Sequence, residues 1–204
     1  MIPRLPARFL GISAAALIGL YAAREDIKLD AYIPVPGDVW TIAAGTTQYP
    51  DGRPVQKGDH VTPQRALILL GHDAARHTQD LMRCIGDVPL YQRELDAYAA
   101  MAHNVGAAAV CRSSIPVKLR AGRYADACAT IKDFVCGPAS EATRAKPGAK
   151  CYSAKKMLHV MRGLANARER EYKWCMGETT AWTGSLQSIG WPAGYAWGLA
   201  SGWA

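Results

Sequence analysis

Residues 25–47 read EDIKLDAYIPVPGDVWTIAAGTT, and the organisation of the chain follows from how this stretch folds. A Pro- and Gly-rich piece, IPVPGD at 33–38, separates a short charged segment from the β-branched and aromatic run VWTIAAGTTQY at 39–49. Such a run bounded by turn residues predicts a strand. Pro50-Asp51-Gly52 supplies the turn after it. A small hairpin or three-stranded sheet is therefore expected near residues 32–57. Four acidic residues, Glu25, Asp26, Asp30 and Asp38, lie within or beside it. Taken alone they read as ordinary surface charges.

Beyond the sheet the pattern turns helical. Thr62-Pro63 has the form of a helix start, Thr as N-cap and Pro at the first helical position, where its missing N–H costs nothing. That helix is predicted to reach about Arg83. Tyr91, Leu95, Tyr98 and Ala102 recur at the i, i+4, i+7, i+11 spacing of one helical face. Tyr124, Cys128, Ile131 and Val135 repeat it. The segment 137–148, with two prolines, breaks the chain. Met157, Met161 and Leu164 then begin a helix expected to end near Cys175. A small sheet followed by several helices is an α+β arrangement.

Both ends differ from this body. Arg4 and Arg8 precede FLGISAAALIGLYAA at 9–23, a charge-free run closed by Arg24. As a helix it would span roughly 22 Å at about 1.5 Å per residue, short of the ~30 Å hydrocarbon core. Ala, Gly and Ser fill eight of its fifteen positions, so insertion would be marginal. A cleaved export signal and a weak anchor that later slips out both fit, and the low hydrophobicity favours the anchor. At the other end, residues 178–204 carry one charge and four tryptophans, Trp182, Trp191, Trp197 and Trp203. Interfacial anchoring and a tail packed on the body both remain open for them.

The 204 residues are half apolar and bear a formal net charge of +7, a globular composition with a basic balance. Nucleic acid, anionic lipid and anionic wall polymer would all be attracted by such a field. Six cysteines, Cys84, Cys111, Cys128, Cys136, Cys151 and Cys175, show neither zinc-ribbon nor redox spacing. An even number at wide spacing points to disulfides in an oxidising compartment such as the periplasm, although sequence leaves all the pairings open.

The stretch 25–47 resembles the catalytic segment of the phage T4-type lysozymes, glycoside hydrolase family 24. Their pattern is a glutamate, a short amphipathic piece ending in Ala-Tyr, a turn with an aspartate, then a Thr-Ile-Gly-x-Gly strand. Glu25, Ala31-Tyr32, the turn at 33–38 and Thr41-Ile42-Ala43-Ala44-Gly45 stand in those places. LDAYAAMAHNVGAAAVCRSSIPVKL at 95–119 is similar to the family's helix ending in Asn-Val-Gly, with His103 and Asn104 at the end that borders the cleft. GLANARERE at 163–171 is similar to the Gly-Leu-x-x-Arg-Arg-x-x-Glu ending. Three matches in order cover roughly residues 25–175.

The resemblance implies an α+β lysozyme-like fold, a small β lobe followed by a mainly helical one, with the N-terminal apolar run as a helix. It divides the chain into an anchor at 1–24, a catalytic domain at 25–177 and a Trp/Gly-rich tail at 178–204. The implied activity is hydrolysis of the β-1,4 bond between N-acetylmuramic acid and N-acetylglucosamine in peptidoglycan, by a monomer without metal or organic cofactor. Such cleavage needs an acid to protonate the leaving oxygen and a group on the other face of the sugar. Glu25 would be the acid, kept protonated by apolar neighbours. Asp38 would orient or activate water, and Thr41 would help hold it. The turn is one residue longer than the common form, so the family's aspartate position falls at Pro34 or Val35. Asp38 is assigned from proximity. Ala43 replaces the first strand glycine, Thr46 stands where histidine is frequent, and Asp26 follows Glu25 where glycine is common.

The run at 9–23 resembles signal-anchor-release segments of phage endolysins, which hold an inactive enzyme at the host inner membrane until it enters the periplasm. It implies coupling to a holin that collapses the membrane potential. Glu25 lies two residues beyond Ala23, so an inserted segment would pin the acid at the interface away from Asp38 and Thr41. Nucleic-acid binding accounts for the charge but for none of the ordered motifs. A catalytically inactive wall-binding protein of the same fold and a lytic transglycosylase are the competing readings, separable by product mass.

Overall fold

The computed structural model describes residues 3–13, 16, 19, 27–34, 37–137 and 159–179. Glu25, Cys151, Met157 and the tryptophan tail lie outside the described residues. Strand β1 (Leu5–Pro6) is followed by a 3-10 turn at Ala7–Phe9. Strands β2 (Lys28–Tyr32) and β3 (Thr41–Ala43) form an antiparallel hairpin that pairs Lys28 with Ala43 and Tyr32 with Thr41 across a bulge. Helix α1 (Pro63–Ile85) comes next, then β4 (Pro89–Leu90), which pairs back onto β1. Helices α2 (Gln92–Val105), α3 (Ala107–Arg112), α4 (Ile115–Arg120) and α5 (Tyr124–Thr130) follow. The short pair β5 (Cys136–Gly137) and β6 (His159–Val160) precedes helix α6 (Arg162–Met176).

The predicted strand at 39–49 is shorter in the structure, because the chain reverses just after Ile42. Ile42 and Thr46 exchange both backbone hydrogen bonds, at 2.9 and 3.0 Å. Ala43 takes φ +53° and Gly45 φ +108° to make the bend. The sheet is completed by single bridges rather than a third strand, Asp30 against His60 and Gln48 against Pro54. Leu29, Ala31 and Trp40 pack against a β-lobe core of Ile42, Tyr49, Val55, Val61 and Leu69.

Helix α1 starts as its sequence requires: Thr62 Oγ1 accepts the N–H of Arg65 at 3.2 Å, and Pro63 fills the first turn. Its 23 residues make a rod of roughly 35 Å. Ala66 and Leu69 at one end belong to the β-lobe core, while Leu81 and Ile85 at the other belong to the helical core. One helix thus runs through both lobes. Between them, Ala44 of the β3 turn packs with Leu70, Ala74 and Ala100.

The periodicity of α2 predicts one buried face, but every residue from Glu94 to Ala102 is buried. A helix buried on every side belongs in the middle of a core, and its four alanines, at 97, 99, 100 and 102, let its neighbours close on it. Gly106, at φ +84°, ends α2 and turns the chain into α3, a conformation that favours glycine. Two disulfides brace this lobe: Cys84–Cys111 ties α1 to α3, and Cys128–Cys175 ties α5 to α6. Their separations of 27 and 47 residues correspond to ~3.5 and ~4 kcal/mol in the chain-entropy account. Cys136 is disulfide-bonded as well, to a partner outside the described residues.

Candidate active site

The hairpin connection carries two of the three residues singled out in the sequence. Thr41 opens β3 opposite Tyr32, is buried, and donates its hydroxyl to the carbonyl of Val39 at 3.1 Å. Asp38 is exposed, and its Oδ1 accepts the N–H of Val39 at 2.9 Å. The structure therefore brings Asp38 and Thr41 to the same end of the β lobe, both bonded to the Val39 backbone. Glu25 precedes β2 by three residues and lies outside the described residues, so its distance to either is not defined. Asp30, also in the acidic set, faces away from the β-lobe core and pairs with His60 at 2.7 Å.

Two buried polar clusters form contacts that the sequence motifs alone do not show. Thr46 Oγ1 donates to Asp73 Oδ2 at 2.6 Å, and both residues are buried. This bond joins the β3 turn to the middle of α1. Arg76 approaches the other oxygen of Asp73 at 3.2 Å. The signal available was indirect: Thr46 stands where a histidine is frequent in the resembling family, and Asp73 is an acidic residue in the apolar stripe of α1.

The second cluster explains the motif at 163–171. Arg168, 1 % exposed, donates to Glu171 Oε1 at 2.8 Å and, across to the end of α2, to Asn104 Oδ1 at 3.3 Å. Burial pushes the Glu171 carboxyl up to about 7, against the pull of the Arg168 guanidinium. Arg168 thereby fixes the Asn-Val-Gly end of α2 to α6. Beside it the His77 and His103 rings meet edge to face at 5.7 Å, linking α1 to α2. Burial, then the Arg76 charge, holds His77 below the usual imidazole range.

The sequence matches the phage lysozyme family over residues 22–171. A SAR-endolysin of Pseudomonas phage phiKMV is 30 % identical over 173 residues, covering 85 % of this chain and 93 % of that protein. An endolysin of Acyrthosiphon pisum secondary endosymbiont phage 1 is 33 % identical over 105 residues, 52 % of this chain and 67 % of the relative. Among solved structures, the endolysin from Escherichia coli O157:H7 phage FAHEc1 superposes with a TM-score of 0.65 at 22 % identity, covering 83 % of this chain and 96 % of that one. The hairpin lobe, the long shared helix and the helical lobe are the lysozyme-like fold, and the chain belongs to the phage lysozyme family. Within that family it is a glycoside hydrolase of the muramidase class, a peptidoglycan-lytic endolysin.

Proposed function

We propose that this endolysin hydrolyses the β-1,4 bond between N-acetylmuramic acid and N-acetylglucosamine, with Glu25 as general acid and Asp38 and Thr41 handling the attacking water. The observation that carries the reading is the hairpin register: Thr41 opens β3 directly opposite Tyr32, on the strand that begins three residues after Glu25. Thr41 is held by the Val39 carbonyl, leaving its hydroxyl oxygen free to accept a hydrogen bond from water. Asp38 already orders the same turn and reaches solvent.

The chain acts as a monomer in the host periplasm after being held at the inner membrane by residues 9–23. In this reading residues 1–24 are the anchor, 25–177 the catalytic domain and 178–204 an appended tail. The similarity to a SAR-endolysin and the apolar run closed by Arg8 and Arg24 support it. Among the described residues no helix is long and apolar enough to cross a membrane. A holin that depolarises the membrane would promote release, and the enzyme is inactive until then because Glu25 stays at the interface.

The test is clearing of purified peptidoglycan by the oxidised full-length chain, beside Glu25→Gln, Asp38→Asn and Thr41→Ala, with product masses measured. Clearing that adds one water per cut and is abolished in Glu25→Gln is the expected result. Products lacking that water would make the enzyme a lytic transglycosylase, for which no second carboxylate is needed. Binding without release of fragments would refute catalysis altogether. If membrane-held and soluble chain cleared the wall at equal specific rates, the inactive-anchor part would fail.

A further inference from the structure

Residues 3–13 lie against the start of α2 through a set of polar contacts. Arg4 reaches Glu94 with two bonds, Nη2 to Oε1 at 2.8 Å and Nε to Oε2 at 3.2 Å. Its guanidinium sits over the Tyr91 ring at 4.2 Å and the Tyr124 ring at 3.8 Å. The Glu94 carboxylate also caps α2 by accepting the Tyr91 N–H at 2.8 Å. Ser13 gives Asp96 both its backbone N–H, at 2.9 Å, and its hydroxyl, at 2.7 Å. Gln92 bridges the two elements, donating to Asp96 at 2.9 Å and to the Gly11 carbonyl at 2.6 Å. Arg8 pairs with Asp87, Ala7 donates to the Val88 carbonyl at 3.1 Å, and β1 pairs with β4.

The acidic partners are built for this guest. Glu94 and Asp96 are 2 % and 1 % exposed with the segment in place. Without it Glu94 would keep one bond, from the Tyr91 N–H, and Asp96 one, from Gln92. Burial already raises the Asp96 carboxyl above the ordinary range against the pull of the Ser13 bonds.

We propose that residues 3–13 are a detachable clasp, that Asp87, Glu94 and Asp96 are its receptor, and that closing the clasp is what makes departure from the membrane irreversible. This rests on the anchoring reading of residues 9–23. Ser13 lies inside the apolar run and cannot be in lipid and on Asp96 together. Arg4 and Arg8 precede the run, so insertion places them on the far side of the bilayer from α2, roughly 22 Å of helix away. The clasp therefore closes only after the whole run has left the lipid. Once closed, it holds both arginines and the first third of the run in water.

The experiment compares the full chain with Arg4→Lys, Ser13→Ala and Glu94→Gln. Arg4→Lys keeps the charge that sets membrane topology but loses the planar fork and the ring stacking. Glu94→Gln leaves the inserted segment untouched. In soluble protein, amide exchange across residues 3–13 is expected to be slow in the parent and at least tenfold faster in Arg4→Lys and Ser13→Ala, with α3 and α4 unchanged. After depolarisation, Glu94→Gln and Arg4→Lys are expected to leave at least threefold more chain in the membrane fraction. Exchange of residues 3–13 at the rate of a free peptide in the parent would overturn the clasp. Faster exchange with unaltered membrane release would overturn its role as a latch. A chain never found in membranes would sink the anchoring reading and the latch, while the exchange arm still decides the clasp.

Discussion

The bond between Thr46 and Asp73 ties the hairpin lobe to the helix that both lobes share, and its removal has a calculable cost. Replacing Thr46 with Val preserves shape while deleting the donor to a carboxylate whose side chain is 5 % exposed. A hydrogen bond to a charged group is worth ~1.5–3 kcal/mol, and the loss approaches the upper figure when the acceptor stays buried. Asp73 keeps Arg76 at 3.2 Å and His72 at 3.9 Å, whose side chains are 46 % and 42 % exposed and contribute little through water. For a protein of this length each kcal/mol moves Tm by ~2–4 °C, so Thr46→Val should lower Tm by roughly 3–12 °C at neutral pH. Thr46→Ser, which keeps the hydroxyl, should recover most of it. The assay is thermal unfolding of the oxidised protein, run as a double-mutant cycle with Asp73→Leu. Removing both polar partners should cost at least ~1 kcal/mol less than the two single changes added together, because neither is left unsatisfied. A Thr46→Val shift below about 1 °C, or strictly additive costs, would refute the assignment of this bond as the tie between lobes.

Two further outcomes follow from strained or buried groups. Ala43 holds φ +53° while fully buried, so Ala43→Gly relieves ~1–2 kcal/mol of left-handed strain and loses a buried methyl of ~0.8 kcal/mol plus ~0.4–1 kcal/mol of chain entropy. Denaturant midpoints should show it near neutral, whereas Ala74→Gly in α1, with the same methyl lost and a helix penalty added, should cost about 1–2 kcal/mol. His77 has its pKa lowered in the folded chain. As pH falls through 6.5 the unfolded chain takes up a proton that the folded chain resists, so stability drops with acidification and is fully present above that point. Tm measured at pH 7.5 and 5.5 should fall more in the parent than in His77→Gln, and parallel curves would contradict the shift.

How far the sequence discloses this structure depends on whether a feature is local. The start of α1 is legible because Thr62 and Pro63 act on their own first turn, and the helix begins there. The Asn-Val-Gly end of α2 is legible for the same reason: Gly106 must take a positive φ. The strand at 39–49 is overextended because β-branched composition cannot show that Ala43 takes the bend a glycine would take. The stripe Leu95, Tyr98 and Ala102 is buried as its spacing predicts, but burial of the other faces of α2 is not legible, because alanine is neutral in a periodicity argument. Arg168 and Glu171 belong to a motif visible in the sequence, but their burial depends on Asn104, 64 residues earlier. The disulfide pairs and the Arg4–Glu94 contact are long-range in the same way. The proposed roles of Asp38 and Thr41 rest on the resemblance, since nothing in their residue types separates them from ordinary polar groups.

Under the proposed anchoring, the N-terminal run would serve two tasks, for each of which its sequence looks poor. A strong anchor would be rich in Leu and Ile, whereas eight of these fifteen residues are Ala, Gly or Ser. Among the described residues of the run, three of these small ones meet the body. Ala16 and Gly19 are buried and helical, and Ser13 supplies the two bonds that satisfy a buried carboxylate. A leucine at 13 would strengthen insertion but cost Asp96 the hydroxyl bond, leaving it the backbone N–H alone from this residue; a positive charge there would suit Asp96 and oppose insertion. Serine is tolerated by lipid at modest cost and by Asp96 at full benefit. The bulky apolar residues divide in the same manner: Leu10 and Ile12 pack against the body, while Phe9 stays 68 % exposed in water. On that proposal, the low hydrophobicity of the segment follows from what the folded body accepts at Ser13, Ala16 and Gly19.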